Sequence, residues 1–156
     1  MRALLALALA ACLLAASPRA GAQPSGDRTG QAFCMARLGE LRTDAGFTGP
    51  GQYFRETHGR LRVLRFQGEV GPEEGARLAQ ALRTAGAVDE VWLHSPGGVA
   101  VQGIAMGRAL RRARVAVRVP NGAMCFSACA IAFVGGEVRE VDPQGCYGNH
   151  MFSAWS

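Results

Sequence analysis

Lysine is missing from this chain of 156 residues, and all 17 of its basic side chains are arginine. A serine–lysine dyad, in which a lysine amine activates a serine nucleophile, is therefore excluded. The formal net charge is +5, but the arginines are scattered and are not interleaved with aromatic residues. This pattern is typical of solvated helix and strand faces, and it argues against a nucleic-acid-binding surface.

Long apolar runs are also scarce. Only one is present, and it lies at the N-terminus. Met1-Arg2 supplies a positive charge, residues 3–16 are almost all leucine and alanine, and Ala20-Gly21-Ala22 is a small-residue cleavage site. These parts predict a signal peptide at residues 1–22, cleaved after Ala22, and hence a periplasmic or secreted protein. The alternatives are an uncleaved anchor and, less favoured because the apolar run continues beyond it, lipidation at Cys12. No later stretch is long enough to span a membrane.

Cysteines are few, but their number is even in the 134 residues that would remain after cleavage. An even count in an exported chain favours disulfides, and the sequence leaves all three possible connectivities open. A Cys-x-x-x-Cys spacing could also be half of a metal site, but no second cysteine or histidine pair accompanies it. We therefore predict disulfides, no metal and no cofactor. The four candidates are Cys34, Cys125, Cys129 and Cys146.

The spacing of apolar residues divides the mature chain into two parts. Residues 23–60 form a poorly determined N-terminal segment, with a loosely helical spacing at 32–41 and many glycines at 43–59. The pattern sharpens over residues 61–156, for which we predict one α/β domain of repeated βαβ units with a mainly parallel sheet. Strands are predicted at 61–66, 88–94, 115–119, 138–141 and 147–152, and helices at 72–86, 101–109 and 127–134.

Catalytic or binding residues are expected at the carboxyl ends of the predicted strands. Ser127 begins a helix, and a serine there is most often an N-cap. Its small neighbours would also expose it as a nucleophile and let the N–H of Ala128 meet a developing oxyanion. Gly98 could supply a second N–H, or simply belong to an ordinary Pro-Gly turn. His150 is a candidate base, and His94, directly before the glycine turn, is its rival.

These motifs in order resemble the proteolytic subunit of the Clp protease, in the crotonase-like superfamily. They are Ser95-Pro96-Gly97-Gly98, Gly103, Cys125-Phe126-Ser127-Ala128-Cys129, Gly-Gly-x-x-Arg at 135–139, and Gly148-Asn149-His150. The Cys-x-Ser-Ala-Cys motif is most similar to a group of predicted periplasmic Clp-like proteins. The resemblance extends from residue 66 to residue 152.

The resemblance implies a ClpP/crotonase-like fold in which Ser127 is the nucleophile and His150 the base, with the oxyanion held by Gly98 and Ala128. It implies an exported serine hydrolase acting on peptides or proteins, and a tendency to form homo-oligomers. The acid that orients the histidine in that family comes well downstream, whereas this chain ends six residues after His150. We therefore expect the C-terminal part of the family fold to be lacking.

Two other functions compete with the hydrolase. The lack of a matching acid favours a catalytically silent Clp-like module that binds or assembles in the cell envelope. An acyl-coenzyme-A enzyme of the crotonase type would share the oxyanion hole, but an exported location offers little coenzyme A.

Overall fold

The computed structural model describes residues 28–41 and 43–149, so the predicted signal peptide and His150 lie outside the described residues. Within these ranges there are five helices and seven strands. None of the described helices is long and apolar enough to cross a membrane. The elements in chain order are α1 Arg28–Leu41, α2 Ala45–Thr48, β1 Gln52–His58, β2 Leu61–Gln67, α3 Glu74–Thr84, β3 Glu90–His94, α4 Ala100–Ala113, β4 Ala116–Val119, β5 Met124–Phe126, α5 Ala128–Phe133, β6 Arg139–Val141 and β7 Cys146–Gly148.

The larger sheet has five strands in the order β1-β2-β3-β4-β6. β1 pairs antiparallel with β2, whereas every other neighbouring pair is parallel. Parallel neighbours need a crossover, and α3 and α4 provide it from β2 to β3 and from β3 to β4. The prediction of an α/β fold with a mainly parallel sheet is therefore confirmed.

The main core lies between one face of this sheet and the helices. Successive residues of a strand face opposite sides of the sheet, so alternate side chains enter the core. Leu78 of α3 and Met106 and Leu110 of α4 are fully buried against them. The strand residues that share this core are Leu64 and Phe66, Val91 and Leu93, and Val117 and Val119, all at most 2% exposed.

β1 and α2 lie in the segment for which the sequence predicted no definite element. β1 is an edge strand whose side chains are mostly exposed, so it shows little apolar periodicity. Its seven residues pair with β2, from Gln52 opposite Gln67 to His58 opposite Leu61. β1 therefore forms because it pairs with β2, a strand whose side chains belong to the core.

A second sheet, of β5 and β7 in parallel, is attached to the carboxyl end of β3. Ser95 makes the attachment, since its N–H donates to the Met124 carbonyl at 2.6 Å and its carbonyl accepts from the Phe126 N–H at 3.1 Å. β5 has only three residues, too few to show a period in the sequence. The attachment places the junction of β5 and α5 at the carboxyl end of β3, where open α/β sheets bind ligands.

Two disulfides are present, as predicted, and the structure selects their connectivity. Cys34 of α1 is bonded to Cys146 of β7. Cys125 of β5 is bonded to Cys129 in the first turn of α5. The first joins the N-terminal segment to the small sheet across a sequence separation of 112, whereas the second is local.

Candidate active site

Ser127 occupies the junction of β5 and α5 with a backbone conformation that side chains rarely adopt. Its φ is 54° and its ψ is −121°. A positive φ at a non-glycine residue costs about 1–3 kcal/mol, and such strain clusters at functional sites. Ser127 stands at the cap position of α5, but its side chain makes no capping hydrogen bond. Ser127 therefore lies on a sharp turn from strand to helix, with its side chain partly exposed.

The turn Ser95-Pro96-Gly97-Gly98 packs directly against this junction. Gly97 has a φ of 103°, and a Cβ placed on it would lie 2.6 Å from the Cβ of Ser127 and 2.7 Å from the carbonyl oxygen of Phe126. The Gly97 carbonyl accepts from the Val70 N–H at 2.7 Å. Its N–H donates to the buried Ser95 Oγ at 3.1 Å. Only glycine fits at this position, because it has both a positive φ and no room for a side chain.

Two backbone N–H groups beside Ser127, those of Gly98 and Ala128, have no acceptor among the described residues. The Val70 N–H donates to the Gly97 carbonyl, and the Val70 carbonyl accepts from the Val99 N–H. In a parallel bridge of this kind, the N–H of the residue in between, Gly98, points away from Val70. Ala128 is the first residue of α5 and therefore has no partner within the helix. Because a Cβ on Gly97 would lie 3.0 Å from the Ala128 nitrogen, the structure brings the two predicted oxyanion donors into one region.

The end of β7 contacts Ser127 two residues before the predicted base, His150. The Ser127 N–H donates to the Gly148 carbonyl at 3.1 Å. Gly148 also pairs with Phe126, and a Cβ on Gly148 would lie 2.7 Å from the Phe126 ring. His150 follows two residues later and lies outside the described residues, so its role as the base stays a prediction.

His94, the rival base, is engaged in other contacts. Its Nδ1 accepts the Met124 N–H at 3.1 Å, and its ring packs against Phe47 with 4.9 Å between ring centroids. Burial lowers the pKa of His94 below its usual range and so favours the neutral ring. Because Nδ1 accepts a hydrogen bond, the proton of the neutral ring is on Nε2. A general base needs a free acceptor nitrogen, and here that nitrogen is already used.

The three described aspartates each have a structural partner. Asp44 accepts the Gly46 N–H and caps α2. Asp89 forms an ion pair with Arg62 at 2.6 Å, and the hydrogen bond from that guanidinium holds the pKa of Asp89 below its usual range. Asp142 pairs with Arg118 at 2.7 Å and accepts the Asn121 N–H at 3.1 Å. Asp142 therefore has a structural role, in an ion pair and in the turn that its carbonyl closes with the Gly145 N–H.

The Cys125–Cys129 disulfide spans Ser127 on both sides. Both cysteines are fully buried, and their Cα atoms lie 5.2 Å apart. One sulfur is fixed on β5 and the other on α5, so the bond ties together the two elements that define the turn. It therefore restrains the conformation of Ser127.

A groove of about 810 Å³ lies beside the junction, between α1 and the small sheet. Sequence reasoning missed this groove, because residues far apart in the sequence form its walls. Phe33 and Leu38 of α1 line one side, and Phe126, Val141 and Tyr147 line the other. The Cys34–Cys146 disulfide holds these two sides together.

Glu74 is a buried charge that sequence reasoning also missed. It is fully buried at the start of α3. It accepts the Tyr53 hydroxyl at 2.8 Å and pairs with Arg77 at 2.9 Å. Burial and the neighbouring carboxylate raise the pKa of Tyr53 well above its usual range. These contacts attach β1 to α3 and explain Glu74 as a structural residue.

Comparison with known proteins assigns no relative. No family model matches the chain, and neither a curated protein nor a solved structure matches it. Within residues 28–41 and 43–149, no group of three or more histidine, cysteine, aspartate or glutamate side chains is placed to hold a metal ion.

Proposed function

We propose that the protein is an exported serine hydrolase, a Clp-like peptidase, in which Ser127 is the nucleophile. The conformation of Ser127 carries the proposal. Its φ of 54° places it on a sharp turn between a strand and a helix, and Gly97 packs against it with no room for a side chain. Strain of this kind is retained where the surrounding structure enforces it, and it is common at catalytic nucleophiles.

In the proposed reaction, Ser127 Oγ attacks the carbonyl carbon of a peptide bond while His150 takes the hydroxyl proton. The N–H groups of Gly98 and Ala128, which lack acceptors among the described residues, would donate to the oxyanion of the tetrahedral intermediate. Each such donor lowers the barrier by about 3 kcal/mol. His150 then protonates the leaving amine, and water hydrolyses the acyl-enzyme by the same steps in reverse.

A catalytically silent module of the same fold is the second candidate. The engagement of the described aspartates favours it, because Asp44, Asp89 and Asp142 each have a structural partner. None of them is free to orient His150. If no other carboxylate orients the histidine, a serine–histidine pair keeps only part of its activity, and the fold serves binding alone.

Labelling by a fluorophosphonate probe separates these two functions. The purified, oxidised wild type should label, and Ser127→Ala and His150→Ala should not. A matched control is His94→Asn, in which the amide oxygen can still accept the Met124 N–H, and this variant should label like wild type. If a wild type with a folded near-ultraviolet circular dichroism spectrum does not label, the silent module is the better description.

A further inference from the structure

The groove beside Ser127 adjoins the proposed nucleophile through residues of both motifs. Pro96 of the glycine turn, Phe126 directly before Ser127, and Gly148 directly beside it all line the groove. Its volume of about 810 Å³ lies within the range of ligand sites. The groove is therefore continuous with the candidate active site, and the following inference rests on the proposed hydrolase function.

Among the residues that the structure describes, those that line the groove carry no charged side chain. This is notable in a protein with 29 charged residues among 156. Four large hydrophobic side chains that border it are at least 39% exposed, namely Phe33, Met35, Val141 and Tyr147. A charged ligand group would lose its hydration there without gaining a partner among the described residues, which is unfavourable. An apolar group would instead bury apolar area from both itself and the walls.

Within ranges 28–41 and 43–149, one edge of β7 pairs with no other strand, and Tyr147 and Gly148 of β7 line the groove. The Cys146 N–H bonds to Ala123 of the neighbouring chain segment at 2.9 Å, and the Gly148 carbonyl accepts from Ser127. In a parallel ladder, alternate residues of a strand direct their N–H and carbonyl groups to opposite sides, so Tyr147, between Cys146 and Gly148, faces the other side. The N–H and carbonyl of Tyr147 therefore point away from β5, and neither has a backbone partner among the described residues.

We propose that this groove binds an extended peptide segment with uncharged, apolar side chains. The segment pairs with the free edge of β7 through the backbone of Tyr147 and places its side chains against Phe33, Leu38 and Phe126. Adding a strand to an exposed edge gives affinity through the main chain, while the groove selects the side chains. A free acyl chain would use the apolar walls but not the unpaired backbone groups, which is why a peptide is the better occupant.

Helix α1 thereby becomes the part of the protein that determines specificity. It is bonded to β7 through Cys34–Cys146, and Leu38 packs with the small apolar cluster around Phe47 and Met124. The exposed ring of Phe33 is then free to contact a substrate side chain.

The test measures peptide binding to Ser127→Ala, in which binding is separated from cleavage. A fluorescently labelled seven-residue peptide of valine and leucine is compared by anisotropy with a peptide that has aspartate at its central position. A third peptide carries N-methyl groups on alternate amides, which removes main-chain donors. We expect the aspartate and N-methyl peptides each to bind at least about tenfold more weakly than the first, a difference of about 1.4 kcal/mol.

Two exposed apolar residues provide matched protein variants in the Ser127→Ala background. Phe33→Asp puts a charge into the groove, and Val101→Asp puts the same charge on α4, outside the groove lining. Phe33→Asp should weaken binding of the apolar peptide at least about tenfold, and Val101→Asp should leave it unchanged. Equal effects of the two variants, or equal affinity for all three peptides, would overturn the proposal.

Other occupants give distinguishable results. Displacement of the peptide by decanoate, together with equal affinity for the N-methyl peptide, would identify a site for acyl chains and overturn the proposal. Self-association that Phe33→Asp abolishes, without peptide binding, would identify a second copy as the occupant and overturn it too. Peptide binding to the groove by a protein that no fluorophosphonate labels would support the groove and refute the hydrolase, so the two proposals fail separately.

Discussion

The substitution Gly97→Ala tests the packing that defines the candidate active site. The new Cβ would lie 2.6 Å from the Cβ of Ser127, 2.7 Å from the Phe126 carbonyl oxygen and 3.0 Å from the Ala128 nitrogen. The first is the side-chain root of the proposed nucleophile, and the other two are backbone atoms that cannot rotate away. The junction of β5 and α5 or the glycine turn must therefore shift.

The magnitude follows from two separate contributions. Alanine at a positive φ costs about 1–2 kcal/mol, and forcing a methyl group into a packed site costs typically about 1–3 kcal/mol. Gly97→Ala should thus lower the free energy of unfolding by about 2–5 kcal/mol. Gly122→Ala isolates the first contribution, because Gly122 has a φ of 78° and its Cβ would meet nothing within 4 Å.

Urea denaturation of wild type and both variants gives the two contributions by difference. Gly97→Ala should be less stable than Gly122→Ala by about 1–3 kcal/mol. Fluorophosphonate labelling adds a functional readout, since a displacement of about 1 Å can slow a reaction about a hundredfold. Labelling should therefore slow strongly in Gly97→Ala and stay near the wild-type rate in Gly122→Ala. Equal stabilities of the two variants would refute the packing of the glycine turn against Ser127.

Three further predictions concern stability. Replacing both cysteines of the Cys34–Cys146 disulfide by alanine should lower the free energy of unfolding by about 2–4 kcal/mol, because the bond closes a long loop; urea denaturation measures the loss, and a negligible loss would contradict this bond. Glu74→Ala should lower the free energy of unfolding by about 3 kcal/mol or more, because the partly buried Tyr53 hydroxyl loses its acceptor and Arg77 loses its ion-pair partner. Tyr53→Phe should lower it by about 1–2 kcal/mol, and equal losses of the two variants in urea denaturation would argue against Glu74 as the partner that joins Tyr53 and Arg77. The pKa of His94 is lowered by burial, so the unfolded chain takes up its proton first and stability should fall as the pH drops below about 6.5. Denaturation at a series of pH values should show a shallower decline for His94→Asn between pH about 6.5 and about 5, above the range in which carboxylates titrate, and an unchanged slope would contradict the prediction.

Much of the α/β framework could be predicted because local signals and the final fold agree. The apolar runs at β3 and β4 are clear because a central parallel strand is covered on both faces and therefore needs apolar residues. The helical periodicity of α4 is clear because one face of this helix packs on the core. The predicted helix of 72–86 begins at Glu74 instead of Pro72, within the usual uncertainty of helix ends. The motif predicts Ser127 and Gly98 as site residues, and in the structure the segments that contain them pack against each other.

Other features could not be predicted, because their cause lies in distant residues. β1 has few buried side chains and forms by pairing with β2, and β5 is too short to show a period. The disulfide connectivity depended on where α1 docks, since four cysteines allow three pairings. Burial of Glu74 likewise depends on Tyr53, which lies 21 residues earlier in the chain.

The alternation of strands and helices, the absence of a lysine base and the motif around Ser127 can be read from the residues alone. These are local properties, written in residue types and short spacings. The strained backbone of Ser127, the contact of Gly97 with it, and the groove beside α1 exist only in the folded chain. Each of these needs segments separated by many residues to meet at the end of β3, and that meeting depends on core packing and disulfides rather than on any single stretch of sequence.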